Sequence, residues 1–433
     1  MDIQYDEKQQ KAIDLCCDLS NRIVAITGEA GTGKTTIIKK VYKELYSETK
    51  KLDKDGNIKE IIPNCVIVAP TGKAAKRIYE VTGIQAMTLH RLLEYPMPGE
   101  IDQETGKPIT KYGPKRDRDN PIDYKIVICD EYAMVNRELH SNLIFALPRG
   151  GIVRMFGDNN QLEPIEEGIV LKGQESAFTT ALKKFPSVVL DQVHRQSEQS
   201  NIITNAHLIN QGMYPRKTDD FQLIFTNDQR QPTDEILKIV EKDPDFFTWK
   251  KQILSPTKTR WVGCDQLNNI IQAKRFFNTD QLGVNIERHR WVKQPLQLFV
   301  GDKIIINRNN YDLGIFNGET GIVKEVVPYG NITVDFGDRI VTIPTEIVLC
   351  YRGKWMTYNP QRDIDLAYVI TVHKAQGSEY EEIVYVLDKA VIYNQSRKNL
   401  YTAVTRAKKK VTIITDQRSL TYSLSHKTGL YNR

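Results

Sequence analysis

No apolar run in the 433 residues approaches the ~18 that would read as a membrane span. The opening residues, MDIQYDEKQQ, lack the basic start and apolar stretch of a secretory signal, so a cytoplasmic location and no membrane partner are expected. Six cysteines are present, Cys16 and Cys17 adjacent and Cys65, Cys129, Cys264 and Cys350 scattered, with no Cys-x-x-Cys spacing. That pattern argues against a disulfide framework or a zinc site. The seven histidines form no close metal-ligand pair, and no repeat of fixed period suggests a solenoid or propeller. What remains has ordinary globular composition, 40% hydrophobic and 26% charged, in a chain long enough for about two to four domains. The net charge of +6 leans toward a polyanionic partner without deciding for one.

Short β-branched runs alternate with helical patterns through the first half: RIVAIT at 22–27, NCVIVAPT at 64–71, YKIVICDE at 124–131, IVRMFGD at 152–158 and SVVLDQV at 187–193. Apolar strands that end in polar residues and are separated by helices imply a parallel sheet covered on both faces, with functional groups at the strands' carboxyl ends. Gly83 is placed to terminate the helix after the second strand. From Tyr95 to Pro121 the pattern breaks into a polar, Gly- and Pro-rich stretch that reads equally as a surface loop or as a hairpin turning at ETGKP. After Leu298, short strands with frequent turn signals (KIIIN, TGIVKEVV, NITVDFG, RIVTIPT) suggest a small barrel or curled sheet inserted in a second α/β domain.

GEAGTGKTT after the first strand satisfies G-x-x-x-x-G-K-[ST] in the context the motif requires, a strand before it and a helix after it. Gly28, Ala30, Gly31, Thr32, Gly33, Lys34, Thr35 and Thr36 would wrap a triphosphate in backbone N–H groups. Lys34 would lie on the β and γ phosphates and the Thr35 hydroxyl on Mg2+. Alone, this loop serves kinases, switches and motors alike. At the end of another strand Asp130 can hold the magnesium shell, while Glu131 can orient and deprotonate an attacking water. That pair favours hydrolysis over transfer to a metabolite.

In order along the chain these residues resemble the motifs of superfamily 1 helicases, specifically the RecD/Dda-type branch, over nearly the whole length. DEKQQKAI resembles the Q motif, GEAGTGKTT motif I, APTGKAAKRI and TLHRLL motifs Ia and Ib, and VICDEYAM motif II. GDNNQLEPI resembles motif III, LDQVHRQ motif IV, ITVHKAQGSEY motif V and LYTAVTRAKKKV motif VI. The resemblance implies two RecA-like P-loop NTPase domains of α/β class, at 1–190 and at 191–297 with 358–433. A pin hairpin would be inserted at 95–121, and an SH3-like β-barrel at 298–357. It implies that Gln9 reads the adenine edge, that Gln161 senses the γ-phosphate, and that Arg195 and Arg406 act as arginine fingers in a cleft between the domains. Gly377 and Glu379 would sit near phosphate and ribose. Pro70, Thr71, Lys73, Thr88, His90, Thr371, His373 and Lys374 would contact DNA.

Motif III here carries no aromatic to stack a base, in agreement with the branch whose members move 5′→3′. In the pin segment only Tyr95, Pro96, Met97, Pro98 and Tyr112 are candidates for a strand-separating wedge. The implied activity is that of an ATP- and Mg2+-dependent 5′→3′ DNA helicase acting as a monomer on single-stranded DNA and its junctions with duplex. Single-stranded-DNA-binding, replication or recombination proteins are its expected partners. The compact length fits a phage-type accessory helicase. An RNA helicase of the Upf-like branch and a small-molecule phosphotransferase are the alternatives, the latter with no account of Gln161, Arg195 or Arg406.

Overall fold

A computed structural model describes residues 4–52, 58–95, 113–164, 175–192, 201–228, 230–281, 283–287, 295–310, 313–351 and 354–427. The chain divides into two compact units, the first holding the described residues up to 192 and the second those from 201.

The first unit runs α1 (Glu7–Cys17), β1 (Ile23–Gly28), α2 (Lys34–Leu45), β2 (Glu48–Leu52), β3 (Ile58–Pro63), β4 (Cys65–Ala69) and α3 (Gly72–Thr82). It continues through β5 (Ala86–Thr88), α4 (Leu89–Leu92), β6 (Ile126–Cys129), α5 (Arg137–Ala146), β7 (Ile152–Gly157), α6 (Ala177–Lys184) and β8 (Ser187–Leu190). Six strands form one sheet in the order β5-β4-β6-β7-β1-β8, and every pairing is parallel.

Alternate residues of each strand face opposite ways, and both faces are covered. Val24, Ile26, Ile67, Ile126 and Ile128 pack with Ile13 of α1, Ile37 and Val41 of α2 and Ile78 of α3. Ala25, Val66, Val68, Val127 and Met155 pack with Leu89, Leu139, Leu143 and Phe178 from α4, α5 and α6. Burial on both sides is why these strands read as unbroken apolar runs instead of alternating ones. Gly83 does end α3, at φ 74°. The antiparallel β2–β3 hairpin has no counterpart in the sequence reading, because ETKKL carries no apolar alternation to announce it.

One strand breaks the apolar rule. Arg154 of β7 is fully buried on the α1 face. Its guanidinium donates to the carbonyls of Cys16 at 2.6 Å, Asn21 at 2.8 Å and Asp18 at 3.0 Å. A cation therefore caps the carboxyl end of α1, where the helix dipole and the unpaired carbonyls favour it.

The second unit holds α7 (Asn201–Asn210), β9 (Phe221–Phe225), α8 (Gln231–Lys242), β10 (Lys251–Ser255), α9 (Cys264–Arg275), β11 (Val284–Ile286), β12 (Leu296–Leu298) and β13 (Lys303–Ile306). Then come β14 (Thr320–Val326), β15 (Ile332–Asp335), β16 (Ile340–Ile343), β17 (Ile347–Tyr351), β18 (Lys354–Tyr358) and β19 (Ile364–Leu366). It closes with β20 (Val369–Thr371), α10 (Val372–Ala375), β21 (Tyr380–Val386), α11 (Arg397–Val404), β22 (Ala407–Thr415) and α12 (Gln417–Ser425). A parallel sheet, β20-β10-β21-β22-β9, stands beside an antiparallel one, β16-β15-β14-β13-β19.

The antiparallel sheet takes its last strand from beyond 298–357 and shares one core with the parallel sheet. Ile304, Val323 and Val334 lie in the same cluster as Ile253, Val369 and Val384. The fully buried Lys303 ties them further, its ammonium donating to the Lys251 carbonyl at 2.8 Å. Among the described residues no helix is long and apolar enough to cross a membrane.

Candidate nucleotide and nucleic-acid sites

The phosphate loop joins β1 to α2 and turns through left-handed glycines, Gly31 at φ 88° and Gly33 at φ 82°, where a side chain would be strained. Lys34 is folded back onto the loop, its ammonium donating to the carbonyls of Gly28 at 2.7 Å and Glu29 at 2.9 Å. Thr32 is buried and donates its hydroxyl to the Glu29 carbonyl at 2.9 Å. Ala30, Thr35 and Thr36 are half-buried along the loop and first helical turn.

Gln9 is buried against this loop. Its Nε2 donates to the Thr32 carbonyl at 3.1 Å, and its Oε1 accepts from the Asp6 amide at 3.2 Å in a capping box that starts α1. A Cβ on Gly33 would stand 2.5 Å from that Nε2. Both ends of the amide are thus engaged within the fold, a use beyond the adenine contact that the resemblance implies.

The acids stand at the end of β6, next to β7 and one strand from β1. Burial first, and then the neighbouring Glu131 carboxylate, push the Asp130 pKa up to about 6, while the Lys34 ammonium and the backbone N–H of Glu131 pull the other way. That amide donates to Asp130 Oδ1 at 2.8 Å. Glu131 itself sits at φ 51°, a left-handed conformation that costs a non-glycine residue about 1–2 kcal/mol. Among the described residues its buried Oε2 has no hydrogen-bond partner.

At the end of β7, Gln161 is buried, with Nε2 on Asp158 Oδ2 at 3.3 Å and Oε1 without a partner among the described residues. Asn159 and Asn160, which the sequence reading passed over, tie this turn to the phosphate loop. The Asn159 amide donates to Thr27 Oγ1 at 3.2 Å, and Asn160 Nδ2 donates to Glu29 Oε1 at 3.1 Å. Arg77 of α3, also missed, lies close enough to lower the Asp130 pKa.

These residues fit a hydrated magnesium ion and a nucleotide. Asp130 is a buried carboxylate whose pKa stays raised despite Lys34 and Arg77, and Glu131 has an oxygen with no partner among the described residues, so both have room for a cation or a water. The lysine spans carbonyls that phosphate oxygens would replace. Among the described residues no cluster of three or more His, Cys, Asp or Glu would hold a metal without such help.

The predicted nucleic-acid residues fall into the same arrangement in each unit. In the first sheet, edge strand β5 ends at Thr88, whose hydroxyl oxygen accepts from the Arg91 amide at 3.1 Å and starts α4. Its neighbour β4 runs into Pro70, Thr71 and Lys73, with Ala69 opposite Thr88 and Thr71 Oγ1 accepting from Ala74 at 3.2 Å. In the second sheet, edge strand β20 ends at Thr371, which caps α10 from the Lys374 amide at 3.3 Å. Its neighbour β10 runs into Pro256, Thr257 and Lys258, with Ser255 opposite Thr371.

Thr-Leu-His-Arg at 88–91 and Thr-Val-His-Lys at 371–374 therefore occupy equivalent places. Each capping threonine accepts from its helix through a hydroxyl lone pair, and a hydroxyl is also a donor. His90 is exposed and lies 4.9 Å, centroid to centroid, from the Tyr95 ring. Burial lowers the His373 pKa, its Nε2 has no partner among the described residues, and burial likewise lowers the pKa of Lys374.

Gly377 turns at φ 71°, and Glu379 pairs with Lys408 at 3.3 Å. Arg406 is buried in the second unit, where its Nε donates to the Thr402 carbonyl at 3.1 Å and its Nη2 to Thr405 Oγ1 at 3.1 Å. Arg195, and Pro96, Met97, Pro98 and Tyr112 of the pin segment, lie outside the described residues.

A parallel sheet with a glycine-lysine loop after one strand and a buried aspartate followed by a glutamate after another defines a P-loop NTPase. Residues 4–224 match the family described as AAA domain, about half of the chain, and the chain belongs to that family. Residues 366–414 match the UvrD-like helicase C-terminal domain.

It is 30% identical over 418 residues to the ATP-dependent RecD2 DNA helicase of Deinococcus radiodurans, covering 93% of this chain and 48% of that one. The chain thus spans about half the length of that relative. It is 27% identical to the RecBCD enzyme subunit RecD of Buchnera aphidicola, covering 91% of this chain and 70% of the other. In fold it is similar to the Pif1 helicase from Bacteroides in complex with ADP-AlF3 and ssDNA. That likeness has a TM-score of 0.56 at 21% identity, over 98% of this chain and 94% of that one.

Proposed function

We propose that this chain is an ATP-dependent DNA helicase that moves 5′→3′ along single-stranded DNA and unwinds duplex ahead of it, as a monomer. The observation that carries the reading is the repeated Thr-x-His-basic turn on the edge strand of both sheets, in a chain whose first sheet also bears a hydrolytic acid pair beside a phosphate loop. One nucleotide site together with two like sets of phosphate donors is what a motor on a repeating polymer needs. A phosphotransferase has no use for the second set. The names of the relatives, RecD2 and RecD, support the same reading.

In this proposal Lys34 leaves the Gly28 and Glu29 carbonyls for phosphate oxygens, and Gln161 and Glu131 hold the water that attacks the γ-phosphorus as its bond to the β–γ bridging oxygen breaks and ADP leaves. Glu131 takes its proton. Asp130 and Thr35 would hold Mg2+, which would supply positive charge to the phosphates. The capping threonines donate to backbone phosphates, a contact indifferent to base sequence. We assign residues 1–190, and 191–297 with 358–433, to two RecA-like domains. The segment 298–357 we assign to an SH3-like insertion.

The test is unwinding of forked, 5′-tailed and 3′-tailed DNA duplexes with ATP and with a non-hydrolysable analogue, alongside turnover stimulated by DNA or RNA. Unwinding of the 5′-tailed and forked substrates with ATP alone is expected. Unwinding only from a 3′ tail overturns the polarity. Equal or better stimulation by RNA overturns the substrate, and turnover indifferent to either polymer overturns the motor.

A further inference from the structure

The equivalence of the two strand-end arrangements draws attention to the loop after β10, which none of the sequence motifs marks. It follows Pro256 and Thr257 as Lys258-Thr259-Arg260-Trp261, beside the turn that starts at Thr371. Trp261 is 57% exposed, whereas the next residue, Val262, is fully buried. An indole has more apolar area to bury than a valine, so a fold that seats the valine and turns the indole outward leaves a large flat surface for something else.

Hydrogen bonds close the loop on itself. Ser255 Oγ donates to the Val262 carbonyl at 2.7 Å, the Gly263 amide to the Arg260 carbonyl at 3.0 Å, and the Cys264 amide to the Thr257 carbonyl at 3.1 Å. Gly263 is required there, since a Cβ would stand 2.1 Å from the Thr259 carbonyl oxygen. Arg260 sits at φ 82°, a left-handed backbone that arginine rarely adopts. It is exposed, and its guanidinium makes no hydrogen bond or ion pair among the described residues. Lys258 pairs with Asp365 at 3.5 Å, which leaves Arg260 as the unpaired cation of the loop.

We propose that Trp261 is a stacking platform for a base of single-stranded nucleic acid, with Arg260 beside it for the adjoining phosphate. The inference rests on the reading of the chain as a binder of single strands. It extends that reading from backbone contacts to a base contact. A flat aromatic next to an unpaired cation matches a nucleotide unit, base and phosphate together, better than an apolar protein patch would. Stacking tolerates any base, so the contact suits a chain that must release one nucleotide and accept the next.

The test is binding of a labelled oligothymidylate, and of the same oligomer with abasic sites throughout, to the wild type and to Trp261→Ala, Trp261→Phe and Arg260→Ala. Urea midpoints serve as the control for folding. Trp261→Ala is expected to weaken binding of the intact oligomer roughly ten- to a hundredfold and to bind the abasic one like wild type, while Trp261→Phe retains most of the affinity. Arg260→Ala should lower the log–log salt slope of binding by about 0.7. Wild-type affinity for the intact oligomer in Trp261→Ala overturns the platform and leaves the helicase reading standing. Failure of the wild type itself to bind overturns that reading and the platform with it.

Discussion

Gln9 Nε2 donates to the main-chain oxygen of Thr32 at 3.1 Å, so the first helix is tied to the phosphate loop by one side-chain amide. The other end of that amide completes the capping box with Asp6. Gln9→Glu preserves the cap and loses the donor to Thr32, whereas Gln9→Ala loses both. Gln9→Ala is expected to cost about 1–2 kcal/mol of stability, and Gln9→Glu considerably less. Both should weaken binding of a fluorescent ATP analogue. Undiminished affinity in Gln9→Glu would show that the tether does not shape the loop.

Glu131→Gln should lower ATP turnover by about a hundredfold or more, the usual contribution of a positioned base, with nucleotide binding retained. The variant also replaces a half-buried carboxylate whose buried Oε2 has no partner among the described residues, so its unfolding midpoint should not fall. Turnover near wild type would remove Glu131 from the chemistry.

Arg154 serves three carbonyls around the end of α1. Arg154→Met leaves those oxygens buried or half-buried without a donor, and a loss of about 2–4 kcal/mol in urea unfolding is expected. Arg154→Lys keeps the charge but lacks the planar fork, and should fall between the two. A loss below about 1 kcal/mol in Arg154→Met would mean that water replaces the guanidinium without difficulty.

His140 carries a pH dependence. Burial lowers its pKa, and Nδ1 lies 2.8 Å from the Tyr132 hydroxyl. The unfolded chain therefore takes up a proton near pH 6.5 that the folded chain resists, so stability present above that value is lost as the pH falls below it. The slope is at most about 1.4 kcal/mol per pH unit for one histidine. His140→Leu should flatten the fall in the urea midpoint between pH 7 and pH 5. An unchanged profile would place the effect elsewhere, with His373, whose pKa burial also lowers, as the next candidate.

The phosphate loop and the Asp130–Glu131 pair were legible because their chemistry needs contiguous residues: glycines for the turn, a lysine at the helix start, two acids at a strand end. The strands around them were legible because a sheet buried on both faces needs apolar runs. Gln9's tether, the Arg154 cap and the Asn160–Glu29 bond were not, since each joins residues far apart in sequence through one side chain. The β2–β3 hairpin was missed because its pairing rests on backbone hydrogen bonds that leave no pattern in ETKKL.

By itself the sequence determined which local turns, caps and strands form and which reactive groups end them, because those depend on dihedral preferences and hydrogen bonds within a few residues. Only the tertiary structure decided which ends are neighbours. The order β6-β7-β1 sets the acid pair and Gln161 beside the phosphate loop, and the register of Ser255 with Thr371 sets the Trp261 loop beside the second Thr-x-His-basic turn. Strand order and register follow from burying helices on both faces of a sheet, a long-range condition that no short stretch of sequence carries.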